Sequence, residues 1–403
     1  MRIVLLNQFF APDAVATAQL LTDLAQALAQ DHSVTIICSG ATDRAVNSDL
    51  CLGSNIKVIR THEFGSSHRG LSRIGAYFSY LAGTVWYGIR LPRPDIYVTL
   101  TTPPFLSPIG AVFASLNGAN HLIWEMDVYP DIATDIGYFT PSGFVDRLVG
   151  AILDWSRRRA TGIIVLGEDM KARLGARGIP EERIHVAENW ADGGDIYPLP
   201  LPEGPLVIGY SGNFGLAHEV DTIEELLCRL RNHPDFRFIF AGGGIKRAQL
   251  QETCRVKGIH NVDFNPYCSR SDLGKSLGEA HLGLVTQLPS TKGSVVPSKI
   301  YGIMAAGRPL LYVGPEGSTP AQHILRFNCG WHILPGDTDS LGSLMRHLNS
   351  NRHLVSEAGQ RGRTAFEQNF EKSIGVERIL RIVESKHHSN EQVPKLTSPA
   401  IGG

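Results

Sequence analysis

The chain has 403 residues, 43% of them hydrophobic, and its 38 Lys and Arg against 39 Asp and Glu leave a formal net charge of −1. That length exceeds one ordinary core and predicts two domains, and the near-neutral balance argues against a general nucleic-acid binder. The six cysteines, Cys38, Cys51, Cys228, Cys254, Cys268 and Cys329, form no C-x-x-C pair, so neither a zinc site nor a disulfide framework is expected; buried thiols in a reducing cytoplasm fit the pattern.

Arg2–Phe9 reads as the first strand. Asn7 and Gln8 interrupt its apolar run and no small-residue cleavage site follows, so a signal peptide is not expected. The turn after it lacks G-x-G-x-x-G, which weakens any nicotinamide or flavin reading. Asp13 and Thr17 sit at this strand's carboxyl end; Asp13 is either a cleft group or the N-cap of the helix Ala16–Gln30. Val34–Cys38 and Ile56–Thr61 are the next strands. The uncharged stretch Ile74–Ile89 holds Tyr77, Phe78, Tyr80, Trp86 and Tyr87 among Lys57, Arg60, Arg69, Arg73, Arg90 and Arg93. It reads as a helix packed on its own sheet or as one resting on an anionic membrane surface, and both hold if one face is buried and the other wet. Ile96–Trp124 carries no Asp, Glu, Lys or Arg, but Pro103, Pro104 and Pro108 cut it into strand, loop and helix rather than a membrane span.

Asp95–Thr99, His121–Glu125 and Gly162–Leu166 continue the strands, with helices near Ser107–Leu116 and Ser142–Arg158. Arg157–Arg159 reads as a solvated helix face. Asp127 follows a strand and is a candidate to bind an acceptor hydroxyl or take its proton; Glu125 competes, and a turn-capping carboxylate is the plainer alternative. Asp127 and Asp131 do not make a metal site at their spacing without further ligands. Trp124, Trp190 and Tyr301 suit core positions as well as stacking on a sugar or base.

The proline-rich run Tyr197–Pro205 is a stiff connector, after which the alternation restarts. Leu206–Gly209, Phe236–Ala241, Val262–Phe264, Leu282–Val285 and Leu310–Val313 read as strands, Val220–Arg231 and Ile245–Lys257 as helices. The expected fold is α/β, two Rossmann-like doubly wound domains facing across a cleft. Residues 1–195 form the first domain, 196–205 the linker and 206–370 the second domain. A helix at 371–386 and a disordered tail at 387–403 follow.

Three loops follow strands of the second domain. Tyr210–His218 offers Gly212, Asn213 and His218. Gly242-Gly243-Gly244 enters a helix with Lys246 in its first turn, a plausible anion nest. Pro297-Ser298-Lys299 opens a short helix, Ile300–Ala306, that Gly307 stops; Ser298 is a candidate cap and Lys299 adds charge where an anion would bind. Together they suggest a phosphate-bearing ligand, although such glycines also serve tight turns.

The chain resembles a family-4 glycosyltransferase of the GT-B type, and within it the bacterial sugar transferases of capsule and O-antigen synthesis. The resemblance rests on NQFFAPDAVATAQLLTDLAQAL at 7–28, WEMDVYPD at 124–131, ENWAD at 188–192, YSGNFGLAHEVDTI at 210–223, FAGGGIKRAQL at 240–250, NVDFNPY at 261–267 and VVPSKIYGIMAAGRPLLYVGPEGS at 295–318, in the family's order. It implies a nucleotide-sugar donor on the second domain, UDP- or GDP-linked, with no further cofactor and no metal. The donor side comprises Gly212, Asn213, Gly243, Gly244, Lys246, Tyr267, Ser294, Pro297, Ser298 and Lys299. The acceptor side comprises Asp13, Thr17 and Asp127. Asp127, Lys299 and a protonated His218 are the catalytic candidates. It also implies a last helix crossing back to the first domain, a retaining mechanism, a polyprenyl-diphosphate-linked saccharide acceptor, and a cytoplasmic protein peripheral to the inner membrane face.

The chain departs from the family where an arginine and a lysine are usual, having Asn213 and His218. Two glutamates eight positions apart give way to Ser294 and Gly302, and Met126 stands where a histidine is common. Those losses keep open a non-catalytic partner in a polysaccharide assembly complex, and a sugar-nucleotide epimerase shares the architecture.

Overall fold

The computed structural model describes residues 1–13, 15–40, 52–62 and 70–391. In the first lobe β1 (Arg2–Leu6), α1 (Ala16–Leu28), β2 (Ser33–Ser39), β3 (Ile56–Thr61), α2 (Gly70–Gly88), β4 (Ile96–Leu100), α3 (Leu106–Asn117) and β5 (Asn120–Trp124) alternate. They are followed by α4 (Asp131–Asp135), α5 (Phe144–Arg159), β6 (Gly162–Val165), α6 (Glu168–Ala176) and β7 (Ile184–Val186). The seven strands pair in the order β3-β2-β1-β4-β5-β6-β7, all parallel. Every residue of β4, β5 and β6 is buried, as a parallel sheet covered on both faces requires.

The second lobe repeats the plan. It holds β8 (Leu206–Asn213), α7 (Asp221–Arg229), β9 (Phe236–Gly243), α8 (Ile245–Lys257), β10 (Val262–Asn265), α9 (Leu273–Gly278) and β11 (Leu282–Thr286). After these come α10 (Lys299–Ala305), β12 (Leu310–Val313), α11 (Thr319–Phe327), β13 (Gly330–Ile333), α12 (Thr338–Ser350) and α13 (Arg352–Asn369). Its six parallel strands run β10-β9-β8-β11-β12-β13. In both sheets the order reverses beside the first strand, between β1 and β4 and between β8 and β11. The carboxyl ends there open a crevice, the usual ligand position in such folds.

The last helix, α14 (Lys372–Glu391), returns to the first lobe. Ile379 and Val383 are fully buried in that lobe's core, and Asn120 Nδ2 donates to the Lys386 carbonyl at 2.9 Å. The helix therefore continues through residues 387–391, which the sequence assigned to a tail; residues 392–403 of that tail lie outside the described residues.

Several local expectations change. β8 and β9 run on through Asn213 and Gly243 into what read as loops, pairing Gly212 with Gly242 and Asn213 with Gly243. β7, β13, α6, α11, α12 and α13 were not anticipated. Arg157 is no solvated residue: it is 2% exposed, and its guanidinium binds Glu125 at 2.7 Å and Asp154 at 2.9 Å. Only Arg158 and Arg159 of that triplet face solvent. Cys38, Cys254 and Cys329 are buried, whereas Cys228 and Cys268 are partly accessible. Trp124 stacks on Trp190 at 5.9 Å between ring centroids, and both, like Tyr301, are buried. On α2, Tyr80 and Thr84 point into the core while Phe78 and Trp86 are exposed, so the helix has one dry and one wet face. Among the described residues no helix is long and apolar enough to cross a membrane.

Candidate functional site

The carboxyl ends of β8 and β9 approach backbone to backbone. Gly242 has φ +120°, and a Cβ there would lie 2.2 Å from the Gly212 carbonyl oxygen. Gly212 has φ +126°, with the Lys299 side chain just above it, 3.6 Å from where a Cβ would stand. Only glycine permits both this φ and this approach, and the result is a bare strip of backbone with a lysine at its edge. Gly244 precedes α8, whose first turn carries Lys246, half-buried, and Arg247. Arg247 lies over the Phe264 ring at 5.4 Å and donates to the Asn265 carbonyl at 3.1 Å. Tyr267 borders the same strip: a Cβ on Gly243 would meet its ring at 2.9 Å.

Lys299 anchors the site. Its ammonium donates to the Tyr210 hydroxyl at 2.7 Å and to His218 Nε2 at 3.0 Å, and the Tyr210 hydroxyl is itself 3.0 Å from His218 Nε2 and donates to the Asn213 carbonyl at 2.8 Å. Among the described residues no carboxylate joins this cluster. Burial lowers the Lys299 pKa to about 7. Burial first, then the Lys299 charge, lowers His218 to about 3. The expectation that His218 serves as a protonated cation is thereby corrected: it is a neutral acceptor, and Lys299 carries the only proton of this pair that titrates near neutrality. Tyr210 was missed because it read as the first residue of a loop, whereas it lies buried within β8; Arg247 was passed over although it stands next to Lys246 in a helix entry.

The third segment differs more. Ser298 is exposed, but its side chain makes no capping hydrogen bond to α10. Pro297 is half-buried before it. Ser294 is fully buried and spends its hydroxyl on the Thr291 carbonyl at 3.0 Å, so its side chain does not face a donor as expected. A Cβ at Gly302 would contact Leu277 and Ile196 at 3.6 and 3.7 Å, an apolar setting hostile to a carboxylate. The loop 291–296 instead reaches the first lobe. Val128 N donates to the Ser294 carbonyl at 2.8 Å, and Asp127 forms an antiparallel bridge with Val295.

That bridge sets Asp127, on the first lobe, beside Val295 in the segment that leads to Lys299. Burial, with a smaller push from Glu125, raises its carboxyl to about pKa 6. Glu125 is 1% exposed and committed to Arg157, so of the two carboxylates Asp127 is the one available. Asp13 closes a turn, its carboxylate accepting from Phe10 N at 3.2 Å. It is not the cap of α1, whose N-cap is Val15. Thr17 is half-buried in the first turn of α1. Gln8, at the carboxyl end of β1, is fully buried with neither side-chain polar atom partnered, a feature the sequence reading used only as an interruption.

Comparison with known proteins bears on the fold and the family. Residues 16–190 match the glycosyl transferase 4-like domain family and residues 196–365 the glycosyl transferases group 1 family. Two provisionally named relatives were found. WbjE of Pseudomonas aeruginosa, a glycosyltransferase, is 24% identical over 78% of this chain and 80% of its own. WcaI of Escherichia coli K12, a colanic acid biosynthesis glycosyl transferase, is 25% identical over 60% of this chain and 61% of its own. Among solved structures, Anabaena HepE in complex with UDP superposes with a TM-score of 0.72 at 14% identity, covering 96% of this chain and 100% of that one. WaaG, a glycosyltransferase involved in lipopolysaccharide biosynthesis, superposes with 0.69 at 16% identity, covering 95% and 99%. The chain belongs to the family-4 glycosyltransferases of the GT-B fold.

Proposed function

We propose that this glycosyltransferase moves a sugar from a nucleoside-diphosphate donor, UDP- or GDP-linked, to a polyprenyl-diphosphate-linked saccharide in bacterial envelope polysaccharide synthesis, with retention at the anomeric carbon. The observation that carries the donor side is Lys299: it stands beside a bare glycine strip, and among the described residues its hydrogen bonds go to the neutral Tyr210 and His218, a setting that suits an anion. A diphosphate supplies that anion. As the anomeric C–O bond breaks, negative charge develops on the departing diphosphate, and Lys299 with the glycine-strip amides stabilises it; the acceptor hydroxyl forms the new bond to the anomeric carbon on the face the diphosphate leaves, as retention requires, and Asp127 hydrogen-bonds that hydroxyl and accepts its proton. The named relatives in polysaccharide synthesis, and HepE's complex with UDP, support the reading.

The test is incubation of purified protein with labelled UDP- and GDP-sugars and lipid-linked saccharides. Transfer to the lipid with release of UDP or GDP is expected. A sugar nucleotide altered without any acceptor would mark an epimerase instead, and no turnover and no nucleotide binding across the panel would overturn the proposal.

A further inference from the structure

Residues 125–135, from the end of β5 through α4, carry four carboxylates: Glu125, Asp127, Asp131 and Asp135. Three of them are held by arginines. Arg157 takes Glu125 at 2.7 Å, Arg173 and Arg177 take Asp131 at 2.7 and 2.8 Å, and Arg173 also takes Asp135 at 3.0 Å. Asp154 of α5 links the arginines in turn, meeting Arg157 at 2.9 Å and Arg177 at 2.8 Å. Among the described residues Asp127 alone of the four has no cation on it. A connected charge network therefore pins the chain around Asp127 and leaves its carboxylate out.

Two buried side chains hold the turn itself. The Arg157 fork donates through Nε to Glu125 at 2.7 Å and through a terminal nitrogen to the Tyr129 carbonyl at 2.8 Å. Those partners stand two residues before and two residues after Asp127. Its other terminal nitrogen goes to Asp154. A buried arginine is costly unless its donors are met, and a planar fork spans three partners that a lysine's single ammonium does not. The backbone between 125 and 129 needs a second hold. Glu125 N still pairs with the Ile164 carbonyl at 2.8 Å, but beyond it the amides of Met126 and Asp127 find no main-chain acceptor among the described residues. Thr101, the first residue past β4, takes both: its Oγ1 accepts from Met126 N at 3.2 Å and from Asp127 N at 3.3 Å. Sheet register places it there, because Leu100 of β4 pairs with Trp124 of β5. Thr101 is buried and β-branched, so its hydroxyl is held stiffly.

We infer that Arg157 and Thr101 are positioning residues of the transfer reaction, fixing the turn 125–129 so that Asp127 presents a free carboxylate to the acceptor hydroxyl. The inference rests on the role proposed above for Asp127. Both residues act through Asp127 and not on substrate. Arg157 neutralises the Glu125 charge two residues away and ties down the far end of the turn. Thr101 fixes the amide of Asp127 itself. A base takes a proton only within hydrogen-bond reach of it, and a displacement of about 1 Å costs about 10²-fold in rate.

The test is a double-mutant cycle in the transfer assay with labelled UDP- and GDP-sugars and lipid-linked saccharides. T101V keeps the shape and removes the hydroxyl. It should lower kcat about 10–10²-fold with donor KM and nucleotide affinity within about twofold, and T101S should recover most of the loss. In a D127N background the same T101V change should cost less than about threefold, because the group it positions is already disabled. R157K keeps the charge and loses the fork; it should behave as T101V does, and it carries the cycle if T101V does not fold. Hydrogen exchange in the free protein reads the hold without turnover: the amides of Met126 and Asp127 should exchange about tenfold faster or more in T101V and at the wild-type rate in T101S. T101V or R157K as active as the wild type, T101S as impaired as T101V, or a T101V loss equally large in D127N would overturn the inference while leaving the proposed function standing. D127N as active as the wild type would overturn the role given to Asp127, and this inference with it. A wild type that transfers no sugar would count against the proposed function, and unchanged exchange in T101V would then overturn the hold as well.

Discussion

At the residue scale the site turns on one proton. Lys299 is the rare lysine whose charge is unsettled near neutrality, because its partners Tyr210 and His218 are neutral and its half-buried place among them costs it solvation. K299M should lower kcat about 10²–10³-fold without changing the melting temperature by more than a degree or two, the loss typical for one preorganised donor. The pH profile carries the same signature. With Asp127 ionising near 6 and Lys299 losing its proton near 7, kcat/KM should rise through the first value and fall above the second. D127N should abolish the acid limb, and K299R should move the alkaline limb upward. Lys299 was legible in the sequence from its place at a helix entry. The role of His218 was not, because a histidine's charge depends on what buries it, and the Tyr210 hydroxyl that completes the cluster reaches it from inside a strand.

At the element scale, the fully buried strands were readable because a parallel sheet writes itself as continuous apolar runs: β12 falls at its expected bounds, and β4, β5 and β6 lie close to theirs. β7 and β13 are short and lie at sheet edges, where half-burial leaves no pattern. The extension of β8 and β9 was hidden by the very glycines that make the site, since glycine reads as a turn. G242A tests this element directly. The added methyl must push Gly212 aside, so a loss of about 1–3 kcal/mol in denaturant stability and a tenfold or greater loss of nucleotide affinity are expected. The missing glutamates also have an element-level cause: position 294 is folded inward by the loop that reaches Asp127, and position 302 faces Leu277 and Ile196.

At the scale of the whole molecule the two lobes are joined by specific polar contacts. Asp169 of α6 accepts from the Thr319 hydroxyl at 2.7 Å and amide at 3.2 Å, His323 meets Glu188 at 3.2 Å, and the 291–296 loop pairs with Asp127. α14 adds apolar burial on the first lobe, so I379A should cost about 2–5 kcal/mol in unfolding measurements although it lies in the last helix. The two-lobed plan and this returning helix were legible from alternation and resemblance. The exposed stripe of α5, Phe144, Leu148, Ile152 and Trp155, was not, because its spacing equals that of a core helix and only the fold shows which side is left uncovered.

The central claim, that Lys299 awaits a nucleotide's diphosphate, is tested most directly by calorimetric titration of UDP and GDP at about pH 8.5 in buffers of different ionisation enthalpy. At that pH the free lysine is largely neutral, and a bound diphosphate must recharge it. The account predicts one site for at least one nucleotide, uptake of up to about one proton per nucleotide, and loss of that uptake with about tenfold weaker binding in K299M. Absence of binding by both nucleotides, or K299M binding as tightly with the same proton uptake, would contradict it.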